Sequence, residues 1–230
     1  MAQSSTETAE ADLPFVIVLG PPASGKSTLV REILADHASF RRFVVRHQLA
    51  REKSNGTPLW ESIRKSVKKG RWIPDSLVVE LFARQLRAYP SARMVLQGLP
   101  ANGAQAVMVR DLIHAHGVRT KLVLYLDASD DVCAMRMRHR VVCTTCDDGR
   151  APAGAAPQAP DRCITCGGLL ERRPDDNESV FAQRLRTHRR NIPAIFAAFR
   201  PEEITVLDAK ATPEAVAASA RVALWTSRGG

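Results

Sequence analysis

One segment, Gly20-Pro-Pro-Ala-Ser-Gly25-Lys26-Ser27-Thr28, constrains this chain more than any other. It satisfies the pattern G-x-x-x-x-G-K-[ST]. It follows Phe15-Val-Ile-Val-Leu19, a continuous apolar run that predicts a buried parallel strand. It also opens a stretch, Lys26 to Asp36, that predicts a helix. A strand, a Gly-rich loop and a helix in that order form a cradle for phosphate. Backbone N–H groups of Gly20, Ala23, Ser24 and Gly25 wrap the anion, and the helix N-terminus adds a favourable dipole. Lys26 sets an ammonium among the phosphates, and the hydroxyl of Ser27 or Thr28 reaches Mg²⁺. ATP with Mg²⁺ is the expected ligand.

The rest of the chain alternates in the same way. Further strands are predicted over 42–45, 93–97, 121–126 and 204–207. Helices are predicted over 75–88, 103–116, 129–140, 177–199 and 212–226, with Asp127 as a helix cap before the fourth of the chain's predicted helices. Short apolar strands alternating with helices imply an α/β fold, a five-stranded parallel sheet covered on both faces. Residues 147–161 break the rhythm. They include Ala151-Pro-Ala-Gly-Ala-Ala-Pro-Gln-Ala-Pro160, too poor in large apolar groups to fold alone.

The chain of 230 residues carries a net charge of +9, which raises the question of an anionic partner. The excess is local. Residues 41–75 hold ten basic and three acidic groups, and residues 136–190 hold eleven Arg and seven acids. Phe43, Trp60 and Trp72 are the aromatic residues of the first basic segment, too few for the aromatic interleaving of a nucleic-acid binder. No apolar run approaches the roughly 20 residues of a membrane span. Residues 1–13 are polar and acidic, without the order of a secretory signal, and are expected to be a disordered tail. Five cysteines are too few for a disulfide scaffold, so the cytoplasm is expected.

Four of those cysteines form C-x₂-C-x₁₆-C-x₂-C: Cys143, Cys146, Cys163 and Cys166. Two tight turns of paired thiolates suit tetrahedral Zn²⁺, and four thiolates leave no open position, so structural zinc is expected. A redox pair or a disulfide is the alternative. Metal closure also explains how the low-complexity loop between the pairs is held.

The phosphate loop, the Cys₄ insertion after the fourth strand and the Arg-rich surround together resemble the adenylate kinase family, in its long form with a zinc-binding LID. The resemblance covers roughly residues 14–215. It implies a P-loop NTPase three-layer sandwich over 14–228, with a helical NMP-binding insertion at 43–74 and the LID at 141–175. On the ATP side the family usually has Gly where this chain has Ala23 and Ser27. Arg136-Met-Arg-His-Arg140 resembles the stretch in which one Arg covers the adenine and the next contacts phosphate. Arg173-Pro-Asp-Asp176 resembles the LID exit that closes over the phosphates, and Arg184 matches a further Arg of the transfer site. Forked Arg donors suit the charge that develops on a transferring phosphoryl group.

The acceptor side departs from the family. Its Thr-Gly-Asp segment is missing from Val44–Arg51, and Arg51 stands one residue out of place. The Asp-Gly-Phe-Pro-Arg stretch reads Gln97-Gly98-Leu99-Pro100-Ala101 here. Thus Gln97 replaces the acid that organises the Mg²⁺ water, and Ala101 replaces an Arg that holds phosphates. Gly98 and Gln105 survive, with Gln105 expected to face the acceptor base. Arg46, Arg51, Arg64 and Lys65 are available to rebuild an anion site. The resemblance implies a monomeric nucleoside monophosphate kinase, transferring the ATP γ-phosphoryl group to AMP or another NMP with Lys26, Arg140, Arg173 and Arg184 as catalytic groups. The departures leave open a kinase of another small phosphorylated substrate, or a catalytically impaired ATP-binding relative.

Overall fold

The computed structural model describes residues 15–68, 73–118, 121–143, 145, 162–163, 166–172 and 177–227. The expected tail at 1–13 and the low-complexity loop at 147–161 lie outside them. Five strands form one parallel sheet: β1 (Phe15–Leu19), β2 (Phe40–Val44), β3 (Arg93–Gln97), β4 (Lys121–Asp127) and β7 (Ile204–Asp208), in the order β2-β3-β1-β4-β7. β1 is central and every one of its residues is buried, as its unbroken apolar run requires. Two very short strands, β5 (Val142–Cys143) and β6 (Leu170–Glu171), pair antiparallel.

Alternate residues of the strands feed two cores. One face packs Phe15, Ile17, Phe43, Met94, Leu96 and Val123 against α3 (Pro58–Lys68), α4 (Asp75–Ala88) and α5 (Gly103–Ala115). The other packs Val16, Val18, Val95, Leu122, Leu124 and Leu207 against α1 (Lys26–Asp36), α6 (Asp130–Arg138) and α8 (Pro213–Thr226). Each buried Phe or Leu side chain contributes about 2 kcal/mol by leaving water. The long helix α7 (Glu178–Phe196) serves both cores, with Phe181 and Leu185 in one and Ile195 in the other. The result is the expected three-layer α/β sandwich. Among the described residues no helix is long and apolar enough to cross a membrane.

Two local expectations need correction. The second strand runs from Phe40 to Val44, not 42–45, and Val45 opens helix α2 (Val45–Ser54). Arg41 disguises the start of the strand, yet it lies 4.1 Å over the Tyr89 ring, and Arg42 beside it donates to Gln97. The cap of α6 is Ser129, whose Oγ accepts from the Val132 amide. Asp127 ends β4 instead, where its carbonyl accepts from Ala209 N at 2.9 Å.

Candidate functional site

The phosphate loop sits where the central strand leaves the sheet. Gly20 has φ 147°, and a Cβ there would stand 2.7 Å from Ser24 Oγ and 2.8 Å from the Leu126 carbonyl. Only glycine fits that approach. Ala23 takes a left-handed backbone at φ 63°, a conformation that suits the Gly usual in the resembled family. Gly25, at φ 103°, precedes the first residue of α1. Ser24 is buried and its Oγ meets no partner among the described residues, an orphan polar atom of the kind a phosphate oxygen or its water satisfies. Lys26 Nζ donates to the carbonyls of Gly20 at 2.8 Å and Pro21 at 2.6 Å. Arg31 donates to Thr28 Oγ1 at 3.4 Å. The cradle geometry fits a Mg²⁺-nucleotide.

The sheet brings the Gln97–Gln105 loop beside this cradle, because β3 is the neighbour of β1 and Val18 pairs with Gln97. Gln97 Nε2 donates to Ser27 Oγ at 2.8 Å, and Gln97 Oε1 accepts from Arg42 Nε at 2.9 Å. Gly98 turns the chain at φ 72°, and its amide donates to the Val18 carbonyl. Gln105 is buried, with both ends of its amide bonded. Its Nε2 donates to Asp75 Oδ1 at 2.7 Å, and its Oε1 accepts from the Ala101 amide at 2.8 Å. Asn102 adds two bonds to the same Asp75 carboxylate. The start of α4 and the start of α5 are thereby locked together. Nothing in the pattern of the sequence singled out Asp75 except its place at a helix start.

The basic segment before this loop is less concentrated than its charge implies. Arg64 pairs with Glu61 at 2.6 Å with both side chains nearly half exposed, worth little in water. Lys65 is exposed, and Arg51 is exposed in the last turn of α2, where a cation complements the helix dipole. Arg46 is half-buried near the start of that helix.

On the ATP side, Arg136 donates to the carbonyls of Ser24 at 3.3 Å and Ala209 at 2.7 Å. Its edge is thus fixed to the phosphate loop and to the turn after β7. Arg140, just past α6, and Arg184, on α7, are half-buried. Arg173 lies outside the described residues.

Helix α7 carries residues that sequence reasoning missed. One turn after Arg184, His188 stacks on Tyr125 with ring centroids 6.0 Å apart and planes at 9°. Burial, reinforced by the Lys26 and Arg189 charges, pushes its pKa down to about 4, so the imidazole is neutral. Its Nε2 is enclosed with no partner among the described residues. Arg189 donates to Asp130, to the Tyr125 hydroxyl and, in a short contact, to the Ala128 carbonyl. Asn191 Nδ2 donates to the Ala101 carbonyl at 3.0 Å. At Gly103 a Cβ would meet Ala194 of α7 at 2.9 Å, so the glycine lets α5 and α7 close up beside the Gln97–Gln105 loop.

Beside β5 and β6, Cys143, Cys163 and Cys166 bring their sulfurs within 4.8 Å of one another, and the Thr145 amide donates to Cys143 Sγ at 3.3 Å. Clustered thiols with an N–H···S bond fit a thiolate-bound metal. Cys146 lies outside the described residues.

A family model described as "Adenylate kinase" matches residues 18–204. The chain belongs to the adenylate kinase family. Curated relatives agree. It is 27% identical over 192 residues to an adenylate kinase of Pyrococcus furiosus, covering 83% of this chain and 86% of the relative. It is 28% identical to one from Thermococcus gammatolerans, over 83% and 84%. It is 29% identical over 203 residues to one from Hydrogenobaculum, over 88% and 96%. As an adenylate kinase-type protein the chain is a nucleoside monophosphate kinase and an ATP-dependent phosphotransferase.

Proposed function

We propose that MgATP occupies the Gly20–Thr28 cradle and that its γ-phosphoryl group passes to AMP or another NMP bound against the Gln97–Gln105 loop. One observation carries this reading. Gln97 joins the two sites directly, standing on the acceptor strand and bonded to Ser27 of the phosphate loop. A phosphate oxygen of the acceptor attacks the γ-phosphorus in line, and ADP leaves. No covalent intermediate with the protein is needed, so the chain acts by positioning and by neutralising charge.

Lys26, now resting on loop carbonyls, follows the moving phosphoryl group, while Arg140, Arg173 and Arg184 clamp its oxygens. Arg136 covers the adenine with a guanidinium face. Ser27 and Thr28 offer hydroxyls to Mg²⁺, which supplies charge neutralisation at the phosphates when bound. Residues 43–74 form the acceptor insertion, with Arg51, Gly98 and Gln105 on its side of the site. Residues 141–175 form a lid stiffened by Zn²⁺ on Cys143, Cys146, Cys163 and Cys166. Closing that lid excludes water from the transfer. A monomer in the cytoplasm completes the reading.

A second reading, transfer to a different small phosphorylated acceptor, is favoured by Ala101. It offers no side-chain donor where the resembled family has Arg, and its carbonyl is held by Asn191. Incubating the protein with MgATP and each of AMP, CMP, UMP, GMP and dAMP, and following ADP, separates the two. Transfer to one of these confirms the NMP reading. No acceleration over ATP alone, despite ATP binding, removes it. Unchanged turnover in Lys26→Ala would remove the phosphate-loop assignment.

A further inference from the structure

Arg42 is an unexpected residue for its place. It stands in the middle of β2, between the buried Phe40 and Phe43. A guanidinium held half-buried on a sheet has a desolvation cost that must be offset by strong hydrogen bonds. One of these is the 2.9 Å bond from Arg42 Nε to Gln97 Oε1, and Gln97 passes it on through the 2.8 Å bond from Nε2 to Ser27 Oγ.

The chemistry of the three groups fixes the direction of this chain. Arginine has only donors. Gln97 must therefore present its oxygen to Arg42, which turns its NH₂ toward Ser27. Ser27 Oγ accepts that N–H, so its own proton cannot point at Gln97 and is aimed away from β3. Ser27 directly follows Lys26 at the N-terminus of α1, beside the phosphate cradle, so that proton is free to meet a phosphate oxygen bound there. A carboxylate at 97 would do the opposite, accepting from Arg42 and from Ser27 alike and drawing the hydroxyl proton inward.

We infer that Arg42 is a positioning residue for the nucleotide: through Gln97 it orients the Ser27 hydroxyl as a hydrogen-bond donor to a phosphate oxygen. The inference rests on the phosphate-loop half of the proposed function and not on which acceptor is used. It also gives the exchange of acid for amide at 97 a purpose, because the relay works only with a group that accepts at one end and donates at the other.

The test is MgADP affinity by calorimetry, without turnover, together with thermal melting. Ser27→Ala and Arg42→Met should each weaken MgADP by about tenfold, the scale of one hydrogen bond to a charged group. In the double variant the second change should add almost nothing, because both remove the same bond. Arg42→Lys, which also only donates, should bind within about twofold of the parent. Gln97→Glu should melt higher, through its new pair with Arg42, yet bind MgADP more weakly. The inference is overturned if Arg42→Met weakens binding equally with and without Ser27, if Arg42→Lys is as weak as Arg42→Met, or if Gln97→Glu binds like the parent. Should Arg42→Met fail to fold, the Arg42→Lys and Gln97→Glu results decide alone. A parent protein that binds MgADP but phosphorylates no acceptor sinks the kinase reading and leaves these comparisons standing. One that binds no MgADP sinks both.

Discussion

Arg136 and Ser24 lie 112 residues apart in sequence, and the guanidinium of the first donates to the carbonyl of the second. Because the other arm of the guanidinium reaches Ala209, a single side chain ties helix α6, the phosphate loop and the turn after β7 into one wall. Replacing Arg136 with Met leaves two carbonyls without their charged donor. We expect a loss of about 1–2 kcal/mol in denaturant unfolding, given that the side chain is half-buried. ATP affinity should fall at the same time, while acceptor KM stays near its parent value. A stable variant with normal ATP binding would remove both roles.

Ala23→Gly relieves a left-handed alanine at φ 63°. That conformation costs an L-residue about 1–2 kcal/mol, and glycine gives back about 0.5–1 kcal/mol through the freedom of its unfolded chain. The net expectation is a gain between zero and about 1.5 kcal/mol, read as a small rise in melting temperature. Ala23→Val should lose stability and ATP affinity together, since a β-branched residue resists positive φ. Equal melting temperatures for Gly and Val at 23 would refute the strain.

His188 makes stability depend on pH with a definite sign. Its folded pKa is lowered from 6.5 to about 4 by burial, Lys26 and Arg189, against an opposing pull from Asp130, with Tyr125 stacked on its face. Between those values the unfolded chain binds the proton and the folded chain does not. Folding stability therefore falls as pH drops from about 7 toward 4, and is fully present above the unfolded pKa. After allowance for partial solvent screening the loss is on the order of 2 kcal/mol. His188→Gln should flatten that part of the urea-unfolding profile. An unchanged slope would show that the imidazole titrates normally.

Asp75 holds three amide bonds, two from Asn102 and one from Gln105. Asp75→Ala strands those donors, at a cost of about 1–3 kcal/mol if they stay buried. Because Gln105 is proposed to face the acceptor, acceptor KM should rise while ATP KM does not. Asp75→Asn should be milder in both measures. A rise in ATP KM alone would place Asp75 outside the acceptor site.

Metal analysis of protein purified without chelator should give about one Zn per chain, held by the four thiolates. Chelation, or Cys163→Ser, should open residues 141–175 to limited proteolysis while the α/β core keeps its melting temperature. Absence of zinc, or an unaltered digestion pattern after chelation, would count against the metal.

The layout of this molecule was legible wherever one residue type answers to one local demand. The unbroken run Phe15–Leu19 is the buried central strand, and Asp75–Ala88 is a helix with the bounds its apolar spacing predicts. The phosphate loop was legible because its glycine, lysine and hydroxyl requirements fall within nine consecutive positions. The second strand was started two residues late because Arg41 reads as polar, and the Tyr89 ring that it covers lies elsewhere in the chain. The same distance hid the acceptor side. Gln97 looked like a lost acid until Arg42 stood 55 residues away in sequence and 2.9 Å away in space. His188 carried no motif, because its neutrality comes from burial and from charges on other elements.

Helix α7 has one more consequence. Arg184, His188 and Asn191 follow one face of it, and a helix rises about 1.5 Å per residue, so the first and last are about 10 Å apart along a stiff rod. The Asn191 end of that rod grips the turn before α5 at Ala101. The spacing between Arg184 and the grip on Ala101 is therefore set by helix pitch. A one-residue insertion between Arg184 and Asn191 would swing the two grips about 100° apart, a change of phase that no loop could absorb.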